Sequence, residues 1–169
     1  MTELLPPLLL TGGPAVGKTV TARALAETTY RCALLDVDDI RQLIKNGAAA
    51  PWTGAEGAAQ QRLGVRNTAA LARNFGAAGF TVTITDVVDA ETLNVYRELL
   101  PDLIAVRLTV SFAEASRRAR LRPIYLTDEE FEALHRAQAD VLAVDHQLDV
   151  TDLDRAEQVL HVRTLWKIT

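Results

Sequence analysis

The amino-acid sequence predicts an α/β fold with three layers, in which a five-stranded, mostly parallel sheet lies between helices. Short apolar runs alternate along the chain with longer amphipathic stretches, which is typical of strands joined by crossover helices. The 169 residues are 49% apolar and 24% charged, as in globular proteins with a buried core. Because no repeat, low-complexity tract or linker-like segment interrupts this pattern, we expect one domain over residues 1–169.

Five short runs have the apolar or β-branched composition of buried strands. The expected strands are residues 8–11, 32–36, 80–85, 103–110 and 147–150. Two of the segments between them begin with the spacing of a capping box, at Ser111 with Glu114 and at Thr127 with Glu130, and Gly79 is a natural end for the longest one. The expected helices are residues 18–27, the segment from the second strand through 45, and residues 56–78, 90–100, 111–120, 127–144 and 152–162.

Composition excludes several classes of protein. The net charge of −4 argues against a protein dedicated to binding duplex DNA. A single cysteine, Cys32, excludes an intramolecular disulfide framework and a cysteine zinc cluster. The longest uncharged stretch, residues 4–17, is too short for a membrane span and contains prolines, and the N-terminus lacks the basic residues of a secretory signal. We therefore expect a cytoplasmic protein that does not enter a membrane.

A phosphate-binding loop follows the first expected strand. It matches the pattern G-x-x-x-x-G-K-[ST] at Gly12, Gly13, Pro14, Ala15, Val16, Gly17, Lys18 and Thr19. Glycines let main-chain N–H groups close around phosphate oxygens, and the N-terminus of the following helix adds a positive dipole end. The lysine supplies a charge for the β- and γ-phosphates, and the threonine hydroxyl is a ligand for Mg²⁺. The loop therefore predicts binding of ATP or another nucleoside triphosphate with Mg²⁺.

The rest of the chain favours a kinase among proteins with this loop. No N-K-x-D sequence is present to recognise guanine, and no D-x-x-G follows the third expected strand to sense the γ-phosphate. The chain is also shorter than most motor or helicase domains that use such a loop. A small kinase, which passes the γ-phosphoryl group to a second substrate, is the class that remains.

A candidate catalytic pair lies where the second expected strand meets the next helix. Asp38 and Arg41 are three residues apart and share a helix face, at the carboxyl edge of the sheet where ligands bind in such folds. The aspartate can accept the proton of an attacking hydroxyl, and the arginine can place the acceptor or neutralise developing charge. Asp36 and Asp39 are alternative bases, and Asp38 or Asp39 could instead serve only as a helix N-cap.

Asp86 ends the third expected strand and is a candidate for the Mg²⁺ site, because it follows a strand as the second acidic motif of phosphate-loop enzymes does. A turn aspartate without a metal role is the alternative. Asp89 is expected to cap the fourth helix.

An arginine cluster predicts a lid over the triphosphate at about residues 117–127. Arg118 and Arg122 are four residues apart and can face the nucleotide together, with Arg117 and Arg120 beside them. A solvated helix face is the alternative. Trp52, Arg62 and Arg66 are candidates for the border of the acceptor pocket, although an aromatic platform for nucleic acid is not visible.

The two opening motifs, Leu-Leu-Thr-Gly-Gly-Pro-Ala-Val-Gly-Lys-Thr and Asp-Val-Asp-Asp-Ile-Arg, resemble those of the chloramphenicol phosphotransferase-like group of small kinases. That resemblance implies the three-layer P-loop kinase fold with a short lid, and it implies that Asp38 is the base for a substrate hydroxyl. The Asp-x-x-Arg spacing also resembles polynucleotide kinases, which would make Arg41 a ligand of an acceptor phosphate.

We therefore expect an ATP-dependent phosphotransferase acting on the hydroxyl of a small molecule, such as an antibiotic or another natural product. The first alternative is a kinase of nucleosides, nucleotides or polynucleotide 5′-hydroxyl ends, whose acceptor binding would weaken with salt if Arg41 held a phosphate. The second is an ATP-binding regulatory or toxin-like module without a small substrate. The sequence does not predict the acceptor or the oligomeric state.

Overall fold

The structure is a computed structural model that describes residues 4–121 and 126–167, with only the backbone described at residue 138. It contains a five-stranded sheet in the order β2-β3-β1-β4-β5, and every neighbouring pair is parallel. The strands are β1 (Leu8–Gly12), β2 (Cys32–Asp36), β3 (Thr81–Thr85), β4 (Ile104–Thr109) and β5 (His146–Asp149). The three-layer α/β fold predicted from the sequence is confirmed.

Helices cover both faces of this sheet in the described ranges. They are α1 (Lys18–Glu27), α2 (Val37–Arg41), α3 (Gly54–Ala77), α4 (Ala90–Leu99), α5 (Phe112–Ala119), α6 (Asp128–Arg136) and α7 (Arg155–Lys167), with a 3₁₀ turn (Ala137–Ala139) after α6. None of the helices in these ranges is long and apolar enough to cross a membrane.

The central strand β1 is buried on both faces, which is why its sequence is an unbroken apolar run. Leu8 and Leu10 belong to one core cluster, which includes Val162 and Trp166 of α7. Leu9 belongs to the other cluster, which is built on α3 and α4. Because successive strand side chains point to opposite faces, three consecutive leucines join both layers of helices to the sheet.

The strand order changes direction at β1: β2 and β3 lie on one side of it, and β4 and β5 lie on the other. In open α/β sheets, ligands bind at this switch point, outside the carboxyl ends of the strands. The segments that leave β1, β2, β3 and β4 all start at this edge. They carry the residues from which the sequence predicts chemistry.

Two expected helices are shorter than their sequence patterns predict. The helix after β2 was expected to reach residue 45 but ends at Arg41. The next segment turns away, and Gln60 of α3 holds it by accepting from Ala49 N (2.8 Å) and donating to Gly47 O (2.8 Å). The prediction of a longer helix was wrong: after Arg41 the backbone forms turns, in which Leu43 N donates to Ile40 O (3.3 Å) and Ile44 N to Arg41 O (3.2 Å).

The helix expected over residues 127–144 begins at its capping box but ends at Arg136, followed by the 3₁₀ turn. A residue of the sheet binds the chain just after the end of this helix: the Arg107 guanidinium on β4 donates to Ala137 O (3.1 Å) and Asp140 O (2.6 Å). These bonds satisfy carbonyls that a helix leaves without partners at its end.

The last helix is displaced from the expected 152–162. It starts after Asp154, whose carboxylate accepts from Glu157 N (2.8 Å) while the Glu157 carboxylate accepts from Asp154 N (2.9 Å). It continues to Lys167 because Trp166 is buried and its indole N–H donates to Pro6 O (2.8 Å). The remaining boundaries agree with the expected ones to within two residues.

Candidate active site

The phosphate-binding loop has a backbone that requires its glycines. Gly12 and Gly17 have φ values of 140° and 87°, and Ala15 between them also has a positive φ of 61°. A Cβ on Gly12 would lie 2.2 Å from the carbonyl oxygen of Leu108, so no larger residue fits. The Lys18 ammonium donates to Gly12 O (2.8 Å) and Gly13 O (2.9 Å) and so folds back along the loop. The loop therefore has the turn that its glycines permit, and its role in binding phosphate stays a prediction.

A buried glutamine supports this loop from behind. Gln158 of α7 donates from its amide nitrogen to Val16 O (2.9 Å) and to the Thr21 hydroxyl oxygen (2.9 Å), and the residue is 4% exposed. The sequence analysis missed Gln158, because the contact joins residues 142 positions apart and nothing in its local pattern marks it.

Asp36 connects the loop to the acidic motif. One of its carboxylate oxygens accepts from Asp38 N (3.1 Å), so Asp36 is the N-cap of α2. The other accepts from the Thr19 hydroxyl (3.2 Å). Asp36, and not Asp38 or Asp39, is therefore the N-cap of this helix. The Asp38 side chain lines the cleft and is 78% exposed.

Arg41 lies between two carboxylates. One of its terminal nitrogens is 3.3 Å from Asp38 Oδ1 and the other is 2.9 Å from Asp86 Oδ1, while the side chain is 19% exposed. Gly64 of α3 makes room for it, because a Cβ there would lie 3.2 Å from both Cγ and Nε of Arg41. The structure thus brings together the predicted pair and Asp86, and it fixes the guanidinium between them.

Asp86 is buried with both oxygens engaged. Oδ1 accepts from Arg41 and from Val87 N (2.8 Å), and Oδ2 accepts from the Tyr96 hydroxyl (2.9 Å). Burial raises the pKa of Asp86 to about 6, although the charge of Arg41 opposes the shift. Burial, together with the charge of Asp86, raises the pKa of Tyr96 well above its usual value. The sequence analysis missed Tyr96, which donates to Asp86. The role of Asp86 at the Mg²⁺ site stays a prediction.

A cleft of about 1270 Å³ opens beside the loop. Lys18, Thr19, Asp38, Arg41 and Arg107 all line it. Much of its wall is apolar, formed by residues that include Ile44, Pro51, Trp52, Val88, Leu134 and Leu142. The cleft is large enough for a small organic acceptor next to the phosphate loop.

Of the residues predicted at the border of this cleft, the structure places some in its wall and others outside it. Trp52 lines it with 60% of its surface exposed. Arg62 instead pairs with Glu91 at 3.0 Å. Asp89 caps α4 as expected, since its carboxylate accepts from Thr92 N (2.8 Å).

A second cavity of about 300 Å³ lies on the other side of the loop, against Gly17 and Gln158. Arg117 and Arg118 line it, and each donates to the Glu114 carboxylate at 2.7 Å. These bonds lower the pKa of Glu114 to about 2. Arg118 also donates to Val150 O (2.9 Å). Arg122 and the middle of the expected lid, residues 122–125, lie outside the described residues.

Comparisons with known proteins identify the fold. No protein-family model matches the sequence, and no curated protein matches it significantly. Solved structures do match. A sugar kinase from Janibacter sp. HTCC2649 superposes with a TM-score of 0.70 at 15% identity, covering 96% of this chain and 94% of that one. A shikimate kinase from Bacteroides thetaiotaomicron gives 0.70 at 18% identity, covering 97% and 99%.

A tunicamycin resistance protein from Deinococcus radiodurans gives a TM-score of 0.67 at 15% identity, covering 98% of this chain and 97% of that one. The chain therefore has the fold of small P-loop kinases over nearly its whole length.

Proposed function

We propose that this protein is an ATP-dependent phosphotransferase that moves the γ-phosphoryl group to a hydroxyl of a small molecule. One observation carries the proposal: the exposed carboxylate of Asp38 lines the same cleft as Lys18 and Thr19 of the phosphate loop. A base facing a phosphate cradle across a cleft is the arrangement that phosphoryl transfer requires. The similarity in fold to sugar and shikimate kinases supports this proposal.

The described residues fit a nucleoside triphosphate and its Mg²⁺. Positive φ values at Gly12 and Gly17, 140° and 87°, give the loop a turn of the kind in which main-chain N–H groups can surround a phosphate. Lys18 would hold the β- and γ-phosphates. Thr19 and Asp36, whose oxygens are 3.2 Å apart, would hold Mg²⁺, which neutralises phosphate charge when bound. We prefer Asp36 to Asp86 for this role, because the Asp86 oxygens already accept from Arg41, Val87 and Tyr96.

The reaction needs a base for the acceptor hydroxyl and an orientation in which the hydroxyl oxygen can attack the γ-phosphorus. The acceptor hydroxyl oxygen forms a bond to the γ-phosphorus, the bond from that phosphorus to the β–γ bridging oxygen breaks, and ADP leaves. Asp38 takes the hydroxyl proton. Arg41 holds the Asp38 carboxylate through the 3.3 Å contact and is itself held by Asp86, so the base has a fixed orientation before the acceptor arrives.

The base of the nucleotide would enter the 300 Å³ cavity beside Gly17, where Arg117 and Arg118 lie. In this proposal the two arginines leave Glu114 or pivot on it to close over the triphosphate, with Arg122 completing the lid. Arg118 is the more firmly held of the two in the cavity wall, because it donates to both Glu114 and Val150 O, whereas the Arg117 side chain is 64% exposed and donates only to Glu114 among the described residues.

An antibiotic or other natural product is the acceptor class that we propose, in line with the resemblance to chloramphenicol phosphotransferase-like kinases and the likeness to a tunicamycin resistance protein. A mostly apolar cleft suits such a compound. A polynucleotide 5′-hydroxyl kinase is less favoured, because both terminal nitrogens of Arg41, which would bind its phosphate, already face the carboxylates of Asp38 and Asp86.

The direct test is a screen for ADP release from Mg·ATP over antibiotics, nucleosides, sugars and 5′-hydroxyl oligonucleotides. Lys18→Ala is the inactive variant, and Lys167→Ala, an exposed lysine at the end of α7, is its matched control. We expect acceptor-dependent release that Lys18→Ala abolishes and Lys167→Ala keeps. ATP binding without acceptor-dependent release from any class would support the regulatory module instead.

A further inference from the structure

Arg107 is a buried cation in the wall of the cleft. It is 6% exposed and lies on β4, where its Cα partner on β1 is Thr11, directly before the phosphate loop. Its strand neighbours Val106 and Leu108 belong to the core on the α1 and α7 side. Because strand side chains alternate, Arg107 points to the opposite face, which is the face of α3, α4 and the cleft.

The charge of Arg107 has no carboxylate partner in the described ranges. Its guanidinium donates to two carbonyl oxygens, Ala137 O at 3.1 Å and Asp140 O at 2.6 Å, and no described carboxylate lies within 4.0 Å of it. Arg41, the other arginine of the cleft, has two carboxylates. A guanidinium has five N–H donors, so carbonyl bonding leaves Arg107 with further donors and with its whole charge.

A buried charge is costly unless an opposite charge meets it. The cleft that Arg107 lines has a largely apolar wall, which includes Val88, Leu134 and Leu142. Asp140, whose carbonyl oxygen accepts from Arg107, also lines the cleft. An anion that enters the cleft would meet a fixed, poorly hydrated guanidinium with donors in a planar fork, the geometry that suits a carboxylate.

We infer that Arg107 binds a carboxylate of the acceptor, so that the substrate class is a hydroxy acid with an apolar body. This inference rests on the proposed function, and it adds a requirement that the phosphate loop and Asp38 do not impose. A single guanidinium in an apolar wall matches one negative charge better than the two charges of a phosphate monoester. The carboxylate at Arg107 anchors one end of the acceptor, while the hydroxyl at the other end reaches Asp38.

The test compares acids with their own amides. A panel of aromatic and alicyclic hydroxy acids, among them 4-(hydroxymethyl)benzoate, is paired compound by compound with the primary amides and assayed for ADP release with Mg·ATP. We expect the best acceptor to be an acid, with a KM at least about tenfold below that of its amide. Arg107→Gln should raise the KM for the acid to that of the amide, with kcat and the KM for ATP within about threefold.

Arg97→Gln is the matched control. Arg97 on α4 also fastens the segment after α6, by donating to Ala143 O (2.9 Å) and pairing with Asp145 at 3.2 Å, but it does not line the cleft. Loss of the preference for acids in both variants would show that Arg107 acts only by holding this segment, and would overturn the inference. Arg107→Lys keeps a cation and should retain part of the preference if Arg107→Gln fails to fold.

A binding measurement that needs no turnover separates this inference from the proposed function. Ligand-observed NMR is recorded with hydroxyl-free acids and their amides, among them 4-methylbenzoate and 4-methylbenzamide. Tighter binding of the acids by at least about tenfold, lost in Arg107→Gln, supports the carboxylate site even if no compound is phosphorylated. Equal binding of acids and amides to the native protein, or phosphorylation of neutral alcohols in preference to acids, overturns the carboxylate site and leaves the kinase proposal standing.

Discussion

Asp38 is the residue on which the proposed chemistry depends, because its carboxylate is exposed to the cleft while that of Asp36 is engaged by α2 and Thr19. General bases contribute about 10²- to 10⁴-fold to rate. We expect Asp38→Asn to lower kcat at least about 100-fold and to leave ATP affinity unchanged. Asp39→Asn, the neighbouring exposed aspartate, is the control that should retain kcat. Native kcat in Asp38→Asn would exclude it as the base.

The pH dependence of stability tests the burial of Asp86. Its pKa is raised from 3.8 to about 6, so the folded state binds this proton more tightly than the unfolded chain does. The stability that the protonated carboxyl contributes is therefore complete below about pH 4 and is lost as the pH rises through 6.

We expect the free energy of unfolding of the native protein to fall relative to Asp86→Asn by on the order of 2 kcal/mol between pH 4 and pH 7, since one pKa unit corresponds to about 1.4 kcal/mol. Denaturant unfolding at a series of pH values measures the difference. A difference that stays constant with pH would show that Asp86 titrates as an ordinary surface carboxyl.

At the scale of elements, α3 positions Arg41 through a glycine. A Cβ on Gly64 would press on Arg41 at 3.2 Å, whereas a Cβ on Gly76 of the same helix would meet nothing within 4 Å. Alanine has the higher helix propensity by about 1 kcal/mol. We expect Gly76→Ala to raise the free energy of unfolding by up to about 1 kcal/mol with unchanged activity. Gly64→Ala should lower kcat at least about tenfold with little loss of stability.

Unfolding curves and kcat measured on the same two preparations test this contrast between α3 positions. Equal activity of the two variants would show that the exact placement of Arg41 does not matter for turnover.

Helix α7 supports the phosphate loop through Gln158. Removing its amide leaves Val16 O and the Thr21 hydroxyl without these buried bonds, which costs about 1–3 kcal/mol. We expect Gln158→Ala to lose that much stability and to raise the KM for ATP more than the KM for the acceptor. Gln147→Ala, at an exposed position of β5, should change neither. An unchanged KM for ATP in folded Gln158→Ala would show that the support does not reach the nucleotide.

The bounds of elements with local sequence signals were predictable, whereas the helix ends that depend on contacts with distant residues were not. The loop motif, α1 and β2 follow from short stretches of sequence, and their bounds agree with expectation. The end of α6 depends on Arg107, about 30 residues away, and the loop after α2 depends on Gln60. Amphipathic periodicity continues through both places, so the pattern alone predicts longer helices than the tertiary contacts allow.

At the scale of the whole molecule, the parallel sheet brings functional residues on or after four of its strands to one edge. The phosphate loop follows β1, Asp38 follows β2 and Asp86 follows β3, while Arg107 lies near the end of β4. Sequence reasoning could predict that the loop and the two aspartates gather at one edge, because parallel strands end together, but it missed Arg107. It could not predict that Tyr96 would take one Asp86 oxygen, since that contact depends on how α4 packs against the sheet.

The central claim is that the loop and Asp38 serve one transfer reaction across a shared cleft. Phosphorus NMR on Mg·ATP with the best acceptor of the screen follows the γ-phosphate directly. The account predicts a phosphate monoester signal that grows in step with ADP and is absent with Lys18→Ala. ADP accompanied only by inorganic phosphate would contradict it.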